Sequence, residues 1–174
     1  LMIPNMYKIA GEQLPSVFNV SARCIASHAL SIFGDHSDVM AVRQTGFAMA
    51  ASSSVQEAQD MSLATHLATN ISKVPFVHFF DGFRTSHEVN TITPIDDAVV
   101  KALAEKYENI YERISEFTPS NPIQKGTSQS EDIFFQNREA SNKWTDAVPE
   151  IFEKVLVDLG KATGRNYKLF EYYG

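Results

Sequence analysis

The sequence predicts an α/β chain: a partial parallel sheet in a three-layer arrangement, with helices on both faces. Val74-Pro75-Phe76-Val77-His78-Phe79-Phe80 is a short, nearly continuous apolar run, the pattern of a strand covered on both sides. Ser54-Val55-Gln56-Glu57 has the spacing of a capping box. Val55, Ala58, Met61, Ala64, Leu67, Ala68 and Ile71 then fall on one helical face leading directly into that strand. The run Val39-Met40-Ala41-Val42 reads as the preceding strand, and strand, helix, strand in succession implies a right-handed crossover and a parallel pair.

From the beginning, Pro4 to Gly11 reads as a short helix, with Pro4 in its first turn and Gly11 at its end. Val17 to Ala22 alternates apolar with small or polar residues, a strand ending at Arg23. Ile25 to Phe33, small and apolar, is expected to be helical, and Gly34-Asp35-His36-Ser37-Asp38 a turn rich in side-chain acceptors. Pro75 fits only at the start of its strand, where a missing N–H costs least. Asp81-Gly82 then turns the chain into Phe83-Arg84-Thr85-Ser86-His87-Glu88, a polar cluster where α/β proteins place ligands.

Residues 1–95 thus form the sheet-building βαβ portion and 96–174 a helical portion of the same domain. Asp96 or Asp97 caps a helix with an apolar stripe of Val100, Leu103, Tyr107, Ile110, Tyr111 and Ile114. Pro119 to about Lys143 reads as a long irregular stretch, within which Ile133-Phe134-Phe135 should dock on something. A last helix is expected from about Pro149 to Lys161, with Gly164 at its cap, before an apolar tail of Tyr167, Leu169, Phe170, Tyr172 and Tyr173. Only three strands are countable, so both sheet edges would be bare unless a partner or an upstream part of the chain completes them. Leu1 precedes Met2 and the chain opens inside apparent structure, as an internal fragment would, incomplete at its N-terminus.

The 174 residues are 44% hydrophobic, enough for one core, and carry a net charge of −6 without a basic block, which argues against nucleic-acid binding. The lone Cys24 excludes an internal disulfide or a cysteine-rich metal cage in this segment, and suggests a reducing compartment. The longest apolar runs are too short for a bilayer. Neither a Walker loop nor a dinucleotide fingerprint is present. Ser86, His87 and Glu88 hold the letters of a hydrolase triad, but neighbours in sequence are not expected to face one another as a triad requires. Asp35, His36 and Asp38 contain metal-ligand types in a turn, an arrangement that is commonplace. His28 and His66 on helices, and His78 in a strand, read as structural. Arg23, Arg43 and Arg84 each follow a predicted strand, and a guanidinium there suits a carboxylate held by two parallel hydrogen bonds. Their positions alone do not choose among the three.

Longer words of the sequence do choose. Leu1-Met2-Ile3-Pro4-Asn5-Met6-Tyr7-Lys8-Ile9-Ala10-Gly11-Glu12, Ile32-Phe33-Gly34-Asp35-His36, Arg43-Gln44-Thr45-Gly46-Phe47-Ala48, Ala51 to Ala58, His78 to Glu88 and Tyr167-Lys168-Leu169-Phe170 resemble pyruvate:ferredoxin (flavodoxin) oxidoreductases essentially end to end. The resemblance implies the later part of the first domain, which contributes the pyrimidine side of a thiamine diphosphate site. It implies oxidative decarboxylation of pyruvate with coenzyme A to acetyl-CoA and CO2, with electrons passed through [4Fe–4S] clusters to ferredoxin or flavodoxin. It implies Arg23 as the residue holding the pyruvate carboxylate, since Arg23 precedes the Phe33-Gly34-Asp35-His36 word. By the same resemblance, the residues for thiamine diphosphate, magnesium and the clusters lie outside this chain, family members are usually dimers, and the compartment is the cytoplasm or an anaerobic mitochondrion-related organelle. The segment alone is then expected to be inactive. A related 2-oxoacid:acceptor oxidoreductase, a fusion protein, or a domain kept only for its interface are the alternatives.

Overall fold

A computed structural model describes residues 1–108, 119, 120, 122 and 126–172. Three strands, β1 (Val17–Ala22), β2 (Ala48–Ser52) and β3 (Phe76–Asp81), form an all-parallel sheet in the order β1-β3-β2. The apolar run is therefore the central strand. Phe76 to Phe79 are all buried, and Pro75 sits just before the first ladder residue. Registers run from Val17 opposite Phe76 to Ala22 opposite Asp81, and from Ala48 opposite Phe76 to Ser52 opposite Phe80.

Helices cover both faces. On one, α3 (Val55–Ser72), α5 (Asp97–Lys106) and α7 (Val148–Thr163) enclose a core of Ala50, Met61, Ala64, Leu67, Phe76, Leu103, Val155, Leu156 and Leu159. On the other, α1 (Ile3–Gly11) and α2 (Ser37–Ala41) bring Met6 and Val39 against Ala22, Phe47, Val77 and Phe79. The alternation of β3 side chains divides Phe76 from Val77 and Phe79 between these two cores. The three-layer α/β class is as the sequence predicts.

The capping box operates in a displaced form. Ser54 Oγ accepts the Glu57 N–H at 3.1 Å, while Glu57 Oε2 accepts from the N–H and hydroxyl of Ser53, at 2.7 and 2.8 Å, one residue before the cap. Ser54→Ala is expected to lower stability by about 1 kcal/mol, visible as a shifted urea midpoint with unchanged slope.

Four expectations are corrected. Val39 to Val42 is not a strand: α2 occupies Ser37–Ala41, and β2 lies further on at Ala48–Ser52. A four-residue apolar run does not distinguish the two states. Asp38 and Thr45 side chains close the helical turn by accepting the Val39 N–H and donating to Val42 O, whereas β2 is small residues with little strand preference of their own. Ile25 to Phe33 is not helical; its loop is tied by Cys24 Sγ accepting the Ser31 N–H at 3.1 Å, so His28 stands on no helix. Of the stretch read as irregular from Pro119 to about Lys143, the part from Glu131 on is a helix, α6 (Glu131–Asp146). Pro119, Ser120, Pro122 and 126–130 carry no helix or strand, and 121 and 123–125 lie outside the described residues. Ile133, Phe134 and Phe135 stay exposed on it within this chain. Finally, α3 is buried over a wider arc than its apolar stripe: Asp60, Thr65, Thr69 and Ser72 are inside and Ile71 is exposed. The buried hydroxyls lose little by this, because Thr65 donates to Met61 O and Thr69 to Val74 O, both at 2.8 Å.

The last helix runs somewhat longer than expected, and Gly164 caps it at φ +76° with its N–H on Gly160 O. Of the tail, Tyr167 and Leu169 pack on the first core, while Phe170 and Tyr172 are exposed. Ile110, Tyr111, Ile114 and Tyr173 lie outside the described residues.

Candidate functional site at the carboxyl edge of the sheet

Because all three strands are parallel, their carboxyl ends meet at one edge: Ala22-Arg23, Ser52-Ser53 and Asp81-Gly82. The three candidate arginines separate here. Arg43 follows α2 rather than a strand, is exposed, and donates from Nη1 to Met40 O at 2.8 Å. Arg84 opens the short helix α4 (Arg84–His87), where its side chain is 81% exposed and lies 3.9 Å from Glu88. Arg23 leaves β1 directly, is half-buried, and among the described residues no carboxylate pairs with its guanidinium. Its backbone is fixed: Asp38 Oδ2 accepts the Arg23 N–H at 2.9 Å, and Arg23 forms an isolated antiparallel bridge with Gly34. A held backbone bearing an unpaired guanidinium is chemically fit to receive a carboxylate.

The other candidates are spoken for. Asp35 Oδ1 accepts the Ser37 N–H at 2.6 Å, Asp38 serves Arg23 and Val39, and His36 lies edge-on to Phe79. Among the described residues no group of three His, Cys, Asp or Glu side chains converges as a metal site. Ser86 Oγ does meet its neighbour His87, 2.5 Å from Nδ1, contrary to expectation; Glu88 faces Arg84 instead, so the third member of a triad is missing. Burial pushes the Asp81 carboxyl up, but the N–H groups of Arg84, Phe83 and Thr85 together outweigh it and hold it below the ordinary carboxylate range. Asp35, Asp38 and Asp81 thus already serve backbone N–H groups. Among the described residues Arg23 is the arginine at this edge whose guanidinium has no carboxylate beside it, Arg84 lying 3.9 Å from Glu88. That set fits a substrate carboxylate. It does not by itself make a diphosphate or magnesium site.

A cleft of about 690 Å³ opens alongside β2, lined by Ser52, Ser53, Glu57, Asp81, Thr85 and His36 at its polar end and by Met61, Phe152, Tyr167 and Phe170 at its apolar end. Arg23 is not among its lining residues. Behind Ser52 lies an arrangement that pattern reading of the sequence did not find. His78, fully buried in the middle of β3, has Nδ1 2.7 Å from Asn19 Oδ1 on β1 and Nε2 2.7 Å from Ser52 Oγ on β2. With the Asn19 carbonyl as acceptor, the ring proton sits on Nδ1 and the Ser52 hydroxyl donates to Nε2. Burial, with a smaller contribution from His66, lowers the His78 pKa to about 4. The sequence signal was His78 alone, the one polar residue within the buried apolar run of β3; Asn19 occupies an exposed position of the alternating strand β1, where a polar residue marks nothing. A second buried polar group, Asp60, is held by Arg165 and Tyr167.

Comparison with known proteins adds what geometry cannot. The chain matches the family described as pyruvate flavodoxin/ferredoxin oxidoreductase, thiamine diP-binding, over residues 1–156. It is 54% identical to the probable pyruvate-flavodoxin oxidoreductase of Escherichia coli K12 and 55% identical to the pyruvate:ferredoxin oxidoreductase of Moorella thermoacetica. Both matches cover all of this chain and 15% of the relative. It is also 52% identical to the mitochondrial pyruvate dehydrogenase [NADP(+)] of Euglena gracilis, over all of this chain and 10% of that protein. With three parallel strands covered by helices and a match across nearly its full length, the chain belongs to the pyruvate flavodoxin/ferredoxin oxidoreductase family, in its thiamine-diphosphate-binding domain.

Proposed function

We propose that this chain is the substrate-carboxylate side of a thiamine-dependent pyruvate oxidoreductase, with Arg23 gripping the acid group of pyruvate. The supporting observation is the half-buried Arg23, backbone fixed by Asp38 and guanidinium unpaired among the described residues, at the sheet edge where α/β proteins bind ligands. In this reading residues 1–174 are the later part of one α/β domain, with 1–95 building the sheet and 96–174 the helical cover. Thiamine diphosphate, magnesium and [4Fe–4S] clusters are held by segments outside it. The cofactor supplies the electron sink for decarboxylation; Arg23 orients the 2-oxoacid and keeps its carboxylate paired until CO2 leaves. Coenzyme A takes the acetyl group, ferredoxin or flavodoxin takes the electrons, the protein works as a homodimer in a reducing compartment, and the isolated segment does not turn over.

The test is Arg23→Ala in the full-length protein. Pyruvate-dependent electron transfer should lose at least about 2 kcal/mol in kcat/KM, some thirty-fold, as for truncating one partner of a buried charge pair. Arg23→Lys should recover only part, because an ammonium lacks the planar fork. Unchanged kcat/KM in Arg23→Ala would leave the domain an interface module only. A second reading keeps the substrate and changes the acceptor, and the relative named for NADP(+) favours it. Reduction of NADP(+) in place of ferredoxin by the full-length protein would select it.

A further inference from the structure

We infer that Gly82 and Asp38 are positioning residues for Arg23, setting where its side chain emerges from the sheet edge; this rests on the reading of Arg23 as the carboxylate clamp. Gly82 follows β3 directly, where the ends of β1 and β3 come together. A Cβ added at Gly82 would stand 2.2 Å from the Ala22 carbonyl oxygen and 2.6 Å from Arg23 Cγ. The first of these is backbone, so no side-chain rotation relieves it. Absence of a side chain at position 82 is thus what lets the first carbons of Arg23 lie against the turn after β3. From another side Asp38 Oδ2 holds the Arg23 N–H at 2.9 Å. From a third, Gly34 bridges Arg23 and leaves room for the Asp81 carboxylate, which a Cβ there would meet at 1.8 Å. Asp81 cannot easily withdraw, because its Oδ2 accepts the N–H groups of Phe83 and Arg84. Arg23 is therefore enclosed by the turn after β3, the loop strand at Gly34 and the first residues of α2. None of these three elements needs to touch substrate for the enclosure to matter. A displacement of about 1 Å at a group that orients substrate is enough to cost on the order of 100-fold in rate.

The experiment is a double-mutant cycle in the full-length protein, reading kcat/KM for pyruvate beside KM for coenzyme A. Gly82→Ala and Asp38→Ala should each lower kcat/KM for pyruvate on the order of tenfold or more, with KM for coenzyme A and the circular dichroism spectrum unchanged. In an Arg23→Ala background both should be silent, because the group they place is already gone. Asp38→Asn should restore part of the loss, since its amide oxygen can still accept the Arg23 N–H while its NH2 then faces the Val39 N–H that Asp38 Oδ1 accepts. Should Gly82→Ala fail to accumulate as folded protein, the Asp38 pair carries the test alone. Losses that persist undiminished in the Arg23→Ala background, or no loss in the wild-type background, overturn the inference while leaving the role of Arg23 standing. A full-activity Arg23→Ala protein removes that role itself, and the inference with it.

Discussion

Arg165→Ala is expected to destabilise the 174-residue chain by about 3–5 kcal/mol, the range for breaking a buried ion pair by deleting one partner. Asp60 is fully buried on α3, and its carboxylate is gripped from both oxygens: Arg165 Nε donates to Oδ2 at 2.6 Å and Nη2 to Oδ1 at 2.8 Å. Tyr167 adds its hydroxyl to Oδ2 at 2.6 Å, and Gln56 Nε2 approaches Oδ1 at 3.3 Å. The fork pins the segment after α7 onto the helix that leads into β3. Arg165 itself is only 22% exposed, so solvent does little to screen the pair. Removing the guanidinium strands the carboxylate with two neutral donors, and it is that uncompensated charge which costs, more than the loss of an attraction. The double replacement Asp60→Leu with Arg165→Met should therefore be far milder than Arg165→Ala alone. Urea unfolding of the three variants checks this, and a cost below about 1 kcal/mol for Arg165→Ala would mean that the pair behaves as an ordinary surface bridge. Because Tyr167 and its neighbours line the cleft beside β2, the same variant should loosen that wall as well.

Comparing this clamp with the arginine at the sheet edge shows which features a sequence carries openly. Arg23 was legible as one of three candidates because strand ends announce themselves: an alternating run stops, a charged residue follows, and a parallel sheet gathers such ends at one edge. The choice among the three came from the resemblance. The central strand was legible for a similar reason, since burial on both faces leaves no polar alternation. Asp60 was hidden because helical periodicity sorts residues by polarity. A carboxylate next to Met61 is assigned to solvent unless its partner, 105 positions away in Arg165, is known. β2 was hidden for the opposite reason. Ala48 to Ser52 has small residues in place of branched ones, and Val39 to Val42, with better strand composition, took its place in the reading while the chain folded it into α2. The crossover itself survived that exchange, because it depends on a helix lying between two strands and not on which apolar run supplies the first. The resemblance of long words to a known family contributed the chemistry that none of these patterns contains.

Acidification from about pH 6.5 to about pH 4 is expected to remove on the order of 3 kcal/mol of stability through His78 alone. The sign follows from where protons go. In the unfolded chain a histidine titrates near its ordinary value of 6.5, while in the folded chain burial lowers His78 to about 4. Across that interval the unfolded state binds a proton that the folded state refuses, so stability rises with pH there and falls as pH falls; below the folded value both states are protonated and the loss levels off. The physical cause is visible at both ring nitrogens. Nδ1–H already donates to Asn19 Oδ1, and Nε2 already accepts the Ser52 hydroxyl. Protonation would place a second N–H where a hydroxyl hydrogen points, and put a charge at the centre of a sheet with helices on both faces. Ser52 would have to rotate its hydrogen away, toward the polar end of the cleft. His78→Gln, which cannot take up the proton, should flatten the slope of urea stability against pH between 6.5 and 4, whatever it costs at pH 7. Should that slope persist unchanged in His78→Gln, the acid sensitivity belongs to other groups and the three-strand relay of Asn19, His78 and Ser52 is only a packing arrangement. Asn19→Leu provides the converse arm: it leaves Nδ1–H without its acceptor in the folded state, so the chain should lose roughly 1–3 kcal/mol at neutral pH.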